Sequence, residues 1–148
     1  MQAVGVVPDD PDGDRQILEL AAAQIGHAAV LRGPARELEP ADIDLALRYL
    51  PDVRVIVTVG AARAVVVTAS EHASWSGAAL VVVDDAAGNG RGVPADLPDG
   101  AIELQAPPSD PDGTFAGFVG ALAARLNAGV LPAEAWAATS RELAVDRV

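Results

Sequence analysis

Short β-branched runs alternate with helical patterns along this chain, and that alternation limits what it can fold into. It is the signature of parallel βαβ units. Ala3 to Val7 is a continuous apolar run, as expected of a strand covered on both faces. A turn rich in Asp, Pro and Gly follows, from Asp9 to Asp14. Ile17, Leu18, Leu20, Ala21 and Ile25 then recur at helical spacing, with Gly26 placed to stop that helix. His27 to Arg32 reads as a second strand. Glu39-Pro-Ala-Asp42 opens a helix whose apolar face carries Ile43, Leu45, Ala46, Leu47 and Leu50, with Pro40 and the acidic residues suited to a first turn.

Val53 to Val59 and Ala64 to Thr68 are two β-branched runs around Gly60-Ala-Ala-Arg63. Their separation predicts a hairpin, and so a small antiparallel element. Ala78 to Val83 is a further strand, the Gly-rich stretch from Asp84 to Gly100 a loop, and Ile102 to Gln105 a short last strand. Two helices close the chain, Thr114 to Ala128 and Pro132 to about Asp146, separated by Gly129 as a stop. No stretch reads as a linker between domains. The expectation is one α/β domain over residues 1–148, a three-layer α/β/α arrangement with a mostly parallel sheet.

Composition removes whole classes of chemistry. All ten basic residues are Arg, so there is no P-loop lysine, Schiff-base lysine or Ser–Lys dyad. The absence of Cys rules out disulfides, thiolate nucleophiles and zinc–sulfur sites. With His27 and His72 the only histidines, a histidine-based metal site is not expected. A net charge of −11 argues against nucleic acid and anionic membranes as partners. No apolar run reaches the roughly 18 residues of a membrane span, and the start reads as a strand and not as a signal peptide. A cytoplasmic location is expected.

The segment Asp110-Pro-Asp-Gly-Thr-Phe-Ala-Gly-Phe-Val-Gly120, followed by Ala121 to Gly129, resembles the C-terminal signature of the ribokinase-like (PfkB) carbohydrate kinases. That pattern, D-T-x-G-A-G-D-x-F-x-G and then a helix, is matched without gaps at Asp110, Gly113, Phe118 and Gly120. Val57-Thr-Val-Gly-Ala-Ala-Arg-Ala64 resembles the family's V-T-x-G-x-x-G-A element at Thr58 and Gly60, with Arg63 in place of the second glycine. Val4 to Gly13 is similar to its V-G-x-V-G-x-D-x-x-G element, with Pro8 replacing a glycine. The phrase Leu38 to Ile43 resembles a helix start common in these kinases. The amino-terminal sugar-binding region and several central strands of a complete member are missing.

The resemblance implies a glycine-rich turn whose amides cradle phosphate, and an aspartate that takes the proton from a sugar hydroxyl. Here the base position holds Ala116 and the second glycine of the anion hole is Phe115, whose side chain is expected to crowd the phosphate. The resemblance therefore implies a non-catalytic, kinase-derived domain with no catalytic residue, acting by small-ligand binding or by oligomerisation, with a homodimer expected. Thr58, Gly60 and Gly113 are its candidate cofactor-binding residues. The alternative is an ATP- and Mg-dependent carbohydrate kinase, a phosphotransferase with an alcohol acceptor, in which Asp112 or Asp110 replaces the missing base.

Other constellations read as ordinary surface. Gly88-Asn-Gly-Arg-Gly92 has the composition of a phosphate loop but no helix pattern behind it. The carboxylates of Asp9, Asp10, Asp12, Asp14, Asp84 and Asp85 follow strand ends and suit a hard cation, yet solvated turns account for them. Glu71-His-Ala-Ser-Trp-Ser76 contains serine and histidine without a nucleophile elbow, and reads as a hairpin tip or edge. Trp75 is expected to pack on the domain or a partner subunit, and Trp136 and Tyr49 to be core or interface residues.

Overall fold

A computed structural model of the chain describes residues 1–85 and 94–146, with the side chains described up to residue 142. The chain divides into two compact units, Met1–Pro51 and Asp52–Val148. The first holds β1 (Gln2–Val7), α1 (Pro11–Ala22), β2 (Gly26–Arg32) and α2 (Pro40–Tyr49). The second holds β3 (Val55–Val59), α3 (Arg63–Ser76), β4 (Ala79–Asp84), β5 (Ile102–Gln105), α4 (Thr114–Asn127) and α5 (Pro132–Asp146). Strands and helices alternate as expected of an α/β protein.

In the first unit β1 and β2 pair in parallel, Val4 opposite Ala29 and Val7 opposite Arg32. Asp10 caps α1 by accepting hydrogen bonds from the amides of Asp12 and Gly13, and Pro11 occupies the first turn, where no donor is lost. The expected stop at Gly26 is displaced by two residues. Gln24 takes the left-handed conformation at φ 56°, and the amides of Gln24 and Ile25 donate to the carbonyls of Ala21 and Leu20. That is the hydrogen-bond pattern of a Schellman end, with glutamine where glycine is usual. Gly26 instead begins β2, where a Cβ would lie 2.0 Å from the Gln2 side chain.

In the second unit the sheet runs β3-β4-β5, all parallel. β4 is its centre and is buried on both faces. Val81 and Val83, with Leu104 of β5, pack against Leu122 and Leu126 of α4 and Ala135 of α5. Leu80 and Val82 point the other way, onto Val66, Ala69 and Ala73 of α3. Each buried Val or Leu among them contributes about 1.5–3 kcal/mol by leaving water, so this sheet carries most of the unit's core.

The hairpin is the main correction. Every pairing among the described strands is parallel, and Ala64 to Thr68 lies inside α3. Successive parallel strands need a crossover of a dozen or more residues, which Gly60 to Ala78 supplies. The β-branched run costs only tenths of a kcal/mol per residue in a helix. Burial of Val66, Ala69 and Ala73 at helical spacing outweighs it. Glu71 to Ser76 is therefore the last part of a helix rather than a hairpin tip, ended by Gly77 at φ 74°.

α4 and α5 form a clasped pair. Phe118 and Trp136 meet edge to face with ring centres 5.4 Å apart. Arg125 donates to the hydroxyl of Thr139 and to the carboxylate of Glu142. Gly129 ends α4 at φ 87°, with its amide bonded to the Leu126 carbonyl and that of Val130 to Arg125. This stop falls where the glycine predicts it.

Candidate functional site

In open parallel sheets ligands bind beyond the carboxyl ends of the strands. In the second unit that edge is made by Val59-Gly60, Asp84-Asp85 and Gln105. Gly60 closes β3 at φ 55°, and its amide donates to the Val83 carbonyl. An added Cβ there would reach Asp85 at 3.9 Å, so the β3–α3 junction lies against the end of β4. Gln105 reaches back along the same edge, its side-chain amide donating to the Asp85 carbonyl at 2.7 Å. Residues 86–93, with the Gly88–Gly92 stretch, lie outside the described residues.

Thr58 pairs with Val82 in the sheet and is buried. Alternation along β3 puts it on the face of Ile56, which packs with α3. Its hydroxyl has no hydrogen-bond partner among the described residues. α3 begins beyond it at Arg63, exposed in the first turn, after the N-cap Ala62, which offers no side-chain cap. Two candidate residues, Thr58 and Gly60, thus share one strand–helix junction.

Gly113 belongs to another junction, and no hydrogen bond among the described residues joins the two. It is the N-cap of α4 at φ 70°, a conformation that glycine adopts at little cost. The decisive contacts are those of Asp110. One carboxylate oxygen accepts from the Phe115 amide at 3.0 Å, and the other from the Ala116 amide at 2.9 Å. Those are the amides that the resemblance assigns to phosphate. They are held by the chain's own carboxylate.

The same turn places Phe115 and Asp112. Phe115 does not crowd the anion position with its ring; the side chain packs into the α4–sheet core. Asp112, the substitute base, accepts a hydrogen bond from the Thr114 amide at 3.2 Å. That amide, then the Thr114 hydroxyl and Asp110, hold its carboxyl below the ordinary range.

The remaining polar clusters are committed to structure. Arg32 pairs with Asp14 and lies 3.8 Å from Asp9, while Arg15 pairs with Asp12 at 2.9 Å. Among the described residues no group of three or more His, Asp or Glu side chains could hold a metal ion. Ser76 donates to the His72 backbone carbonyl at 2.7 Å. Trp75 is 91% exposed and Tyr49 78%, so neither packs as a core residue; Trp136 alone of the three is packed, against Phe118. A cavity of about 430 Å³ lies between β1 and α1, lined by Ala3 to Val7, Gln16, Glu19, Leu20 and Val30, none of them a candidate from the sequence.

Sequence reasoning missed the closure of the α4 turn by Asp110. The residue type was a signal, since aspartate before a helix favours bonding to free amides, but Asp110 precedes the N-cap and reaches amides five and six residues on, a spacing the usual cap pattern does not give. Comparison with protein-family models, curated proteins and solved structures returned no match. No described helix is long and apolar enough to cross a membrane.

Proposed function

We propose that this chain is a non-catalytic domain derived from a ribokinase-like kinase, working through binding rather than phosphoryl transfer. The observation that carries the reading is the Asp110 carboxylate on the Phe115 and Ala116 amides. An anion entering there must displace a carboxylate already held by two hydrogen bonds, in a protein of net charge −11. Ala116 at the position of the base supports the same conclusion from the side of proton transfer. A three-layer, ribokinase-like arrangement, a cytoplasmic location and a homodimer are parts of this proposal. The exposed side of α4, with Ala116, Gly117, Gly120 and Ala124, is the surface on which a second copy would pack.

Titration calorimetry with ATP and ADP, with and without Mg²⁺, tests the binding claim, and a coupled ADP-release assay over pentoses and hexoses tests the catalytic one. The expectation is no turnover and no micromolar nucleotide affinity in the natural chain. Turnover that disappears in Asp112→Asn would overturn the reading and establish the kinase alternative.

A further inference from the structure

Aspartate followed by glycine is the pair in which a backbone amide most readily attacks the preceding side chain, because glycine leaves its nitrogen unshielded. Three such pairs lie among the described residues: Asp12-Gly13, Asp99-Gly100 and Asp112-Gly113. Two are tied down. The Gly13 amide donates to the Asp10 carboxylate, and Asp12 is in α1 and paired with Arg15. The Gly113 amide donates to the Asp110 carbonyl at 3.2 Å, and the Asp112 carboxylate accepts from the Thr114 amide.

Asp99-Gly100 has neither restraint. Both residues are exposed, in a turn closed by the Ala101 amide donating to the Pro98 carbonyl at 3.0 Å. Among the described residues no hydrogen bond involves the Gly100 amide or the Asp99 carboxyl. We propose that, among the Asp-Gly pairs of the described residues, Asp99-Gly100 is the one that isomerises spontaneously to isoaspartate, and that hydrogen bonding protects the other two.

The step needs only water. The Gly100 nitrogen attacks Cγ of the protonated Asp99 carboxyl, a C–N bond forms, and the carboxyl hydroxyl breaks from Cγ and leaves as water, its second proton replacing through solvent the one the amide gives up. Water then opens the resulting succinimide. Attack at the former side-chain carbonyl restores aspartate; attack at the former backbone carbonyl leaves the chain running through Cβ and Cγ. No atoms are gained or lost, but the main chain lengthens by one methylene directly before β5. Ala101, packed against the α3 side of the sheet, is the next residue to feel it.

The test incubates the folded full-length chain in warm, mildly acidic buffer and maps isoaspartate by electron-transfer fragmentation of its peptides, with a parallel sample in urea. Residue 99 should accumulate it about fivefold or more faster than residue 12 or 112, the factor by which loss of a typical capping bond shifts a local opening. In urea the three rates should converge, and Asp99→Glu should abolish the signal at that site. Equal accumulation at 12 or 112 in the folded protein would overturn the proposal. So would a folded protein that stays unmodified at 99 while the unfolded chain reacts, or rates in urea that keep the folded order. Deamidation at Asn89 is distinguished by its mass change.

Discussion

The tetrapeptide Asp-Pro-Asp-Gly occurs at 10–13 and again at 110–113, each time at the start of a helix, and the two copies are built differently. In the first, the helix begins at Pro11, one oxygen of Asp10 takes the amides two and three residues on, and Gly13 is buried inside the first turn. In the second, the helix waits until Thr114, Gly113 becomes its left-handed N-cap, and Asp110 reaches amides five and six residues on. The connection before each copy decides between them. Three residues separate β1 from α1, so the helix must start at once and backs onto Pro8. Residues 106–113 separate β5 from α4, which leaves room for a turn closed by the Gly113 amide on the Asp110 carbonyl. The tetrapeptide specifies that a helix starts nearby; the length of chain before it specifies how.

Substituting the two glycines should break the comparison most visibly. A Cβ on Gly13 would lie 1.9 Å from the Pro8 carbonyl oxygen, a backbone atom that cannot step aside without moving the end of β1. Gly13→Ala should therefore cost about 3 kcal/mol or more. A Cβ on Gly113 meets open space, and the cost of Gly113→Ala is only that of a left-handed alanine, about 1 kcal/mol. Urea unfolding followed by circular dichroism gives both values. Tryptophan fluorescence reports the second unit alone, since Trp75 and Trp136 both lie there. Equal costs for the two variants would mean that the glycines are not placed as described.

The capping aspartates should give a smaller and more even effect. Asp10→Ala and Asp110→Ala each free two amides and should each cost about 1 kcal/mol. They differ in what they expose. Asp110→Ala alone should allow the α4 turn to take up inorganic phosphate, measured by calorimetry, because it empties the amides of Phe115 and Ala116. Phosphate binding to Asp10→Ala of equal strength would show that any uncapped helix start in this chain attracts anions, and would remove the special standing of the α4 turn.

How much of this was legible in the sequence follows the same division between local and distant causes. Gly129, Pro40 and the short β5 were readable because a stop, a start and an edge strand depend on a few neighbouring residues. The strand β4 was readable because its Leu-Val-Val-Val run is buried on both faces of the sheet, where tertiary packing agrees with the local β preference. Val65 to Thr68 was not, since its local preference is β and its helical state comes from Leu80 and Val82 across the sheet. Gln24 in the left-handed region was hidden for a similar reason: Gly26, two residues on, looked the better stop, but β1 needs it beside Gln2. At the candidate site, residue types were legible and occupancy was not. The sequence announced Asp110, Gly113 and Ala116; only geometry reveals that the first already holds the amide of the last.

A third helix start sharpens the contrast by using different groups. α2 has no aspartate at its N-cap. Glu39 and Asp42 form a capping box, and the Asp42 carboxylate accepts from the Glu39 amide at 2.9 Å and from both terminal nitrogens of Arg36, at 2.7 and 3.0 Å. The Arg36 bonds first, then the Glu39 amide, lower the Asp42 pKa to about 2. Because the folded value lies below the unfolded one, the carboxylate stabilises the fold above the unfolded pKa, and this contribution is lost as pH falls from about 4 through about 2. The pair is solvent-exposed, so screening keeps the effect small, and added salt should reduce it further. Urea titrations of the natural chain and of Asp42→Asn, across that pH window, isolate it. The two should differ in stability at neutral pH and converge at the acid end. A difference that persists unchanged below pH 2 would show that Asp42 acts through its shape and neutral hydrogen bonds rather than through its charge.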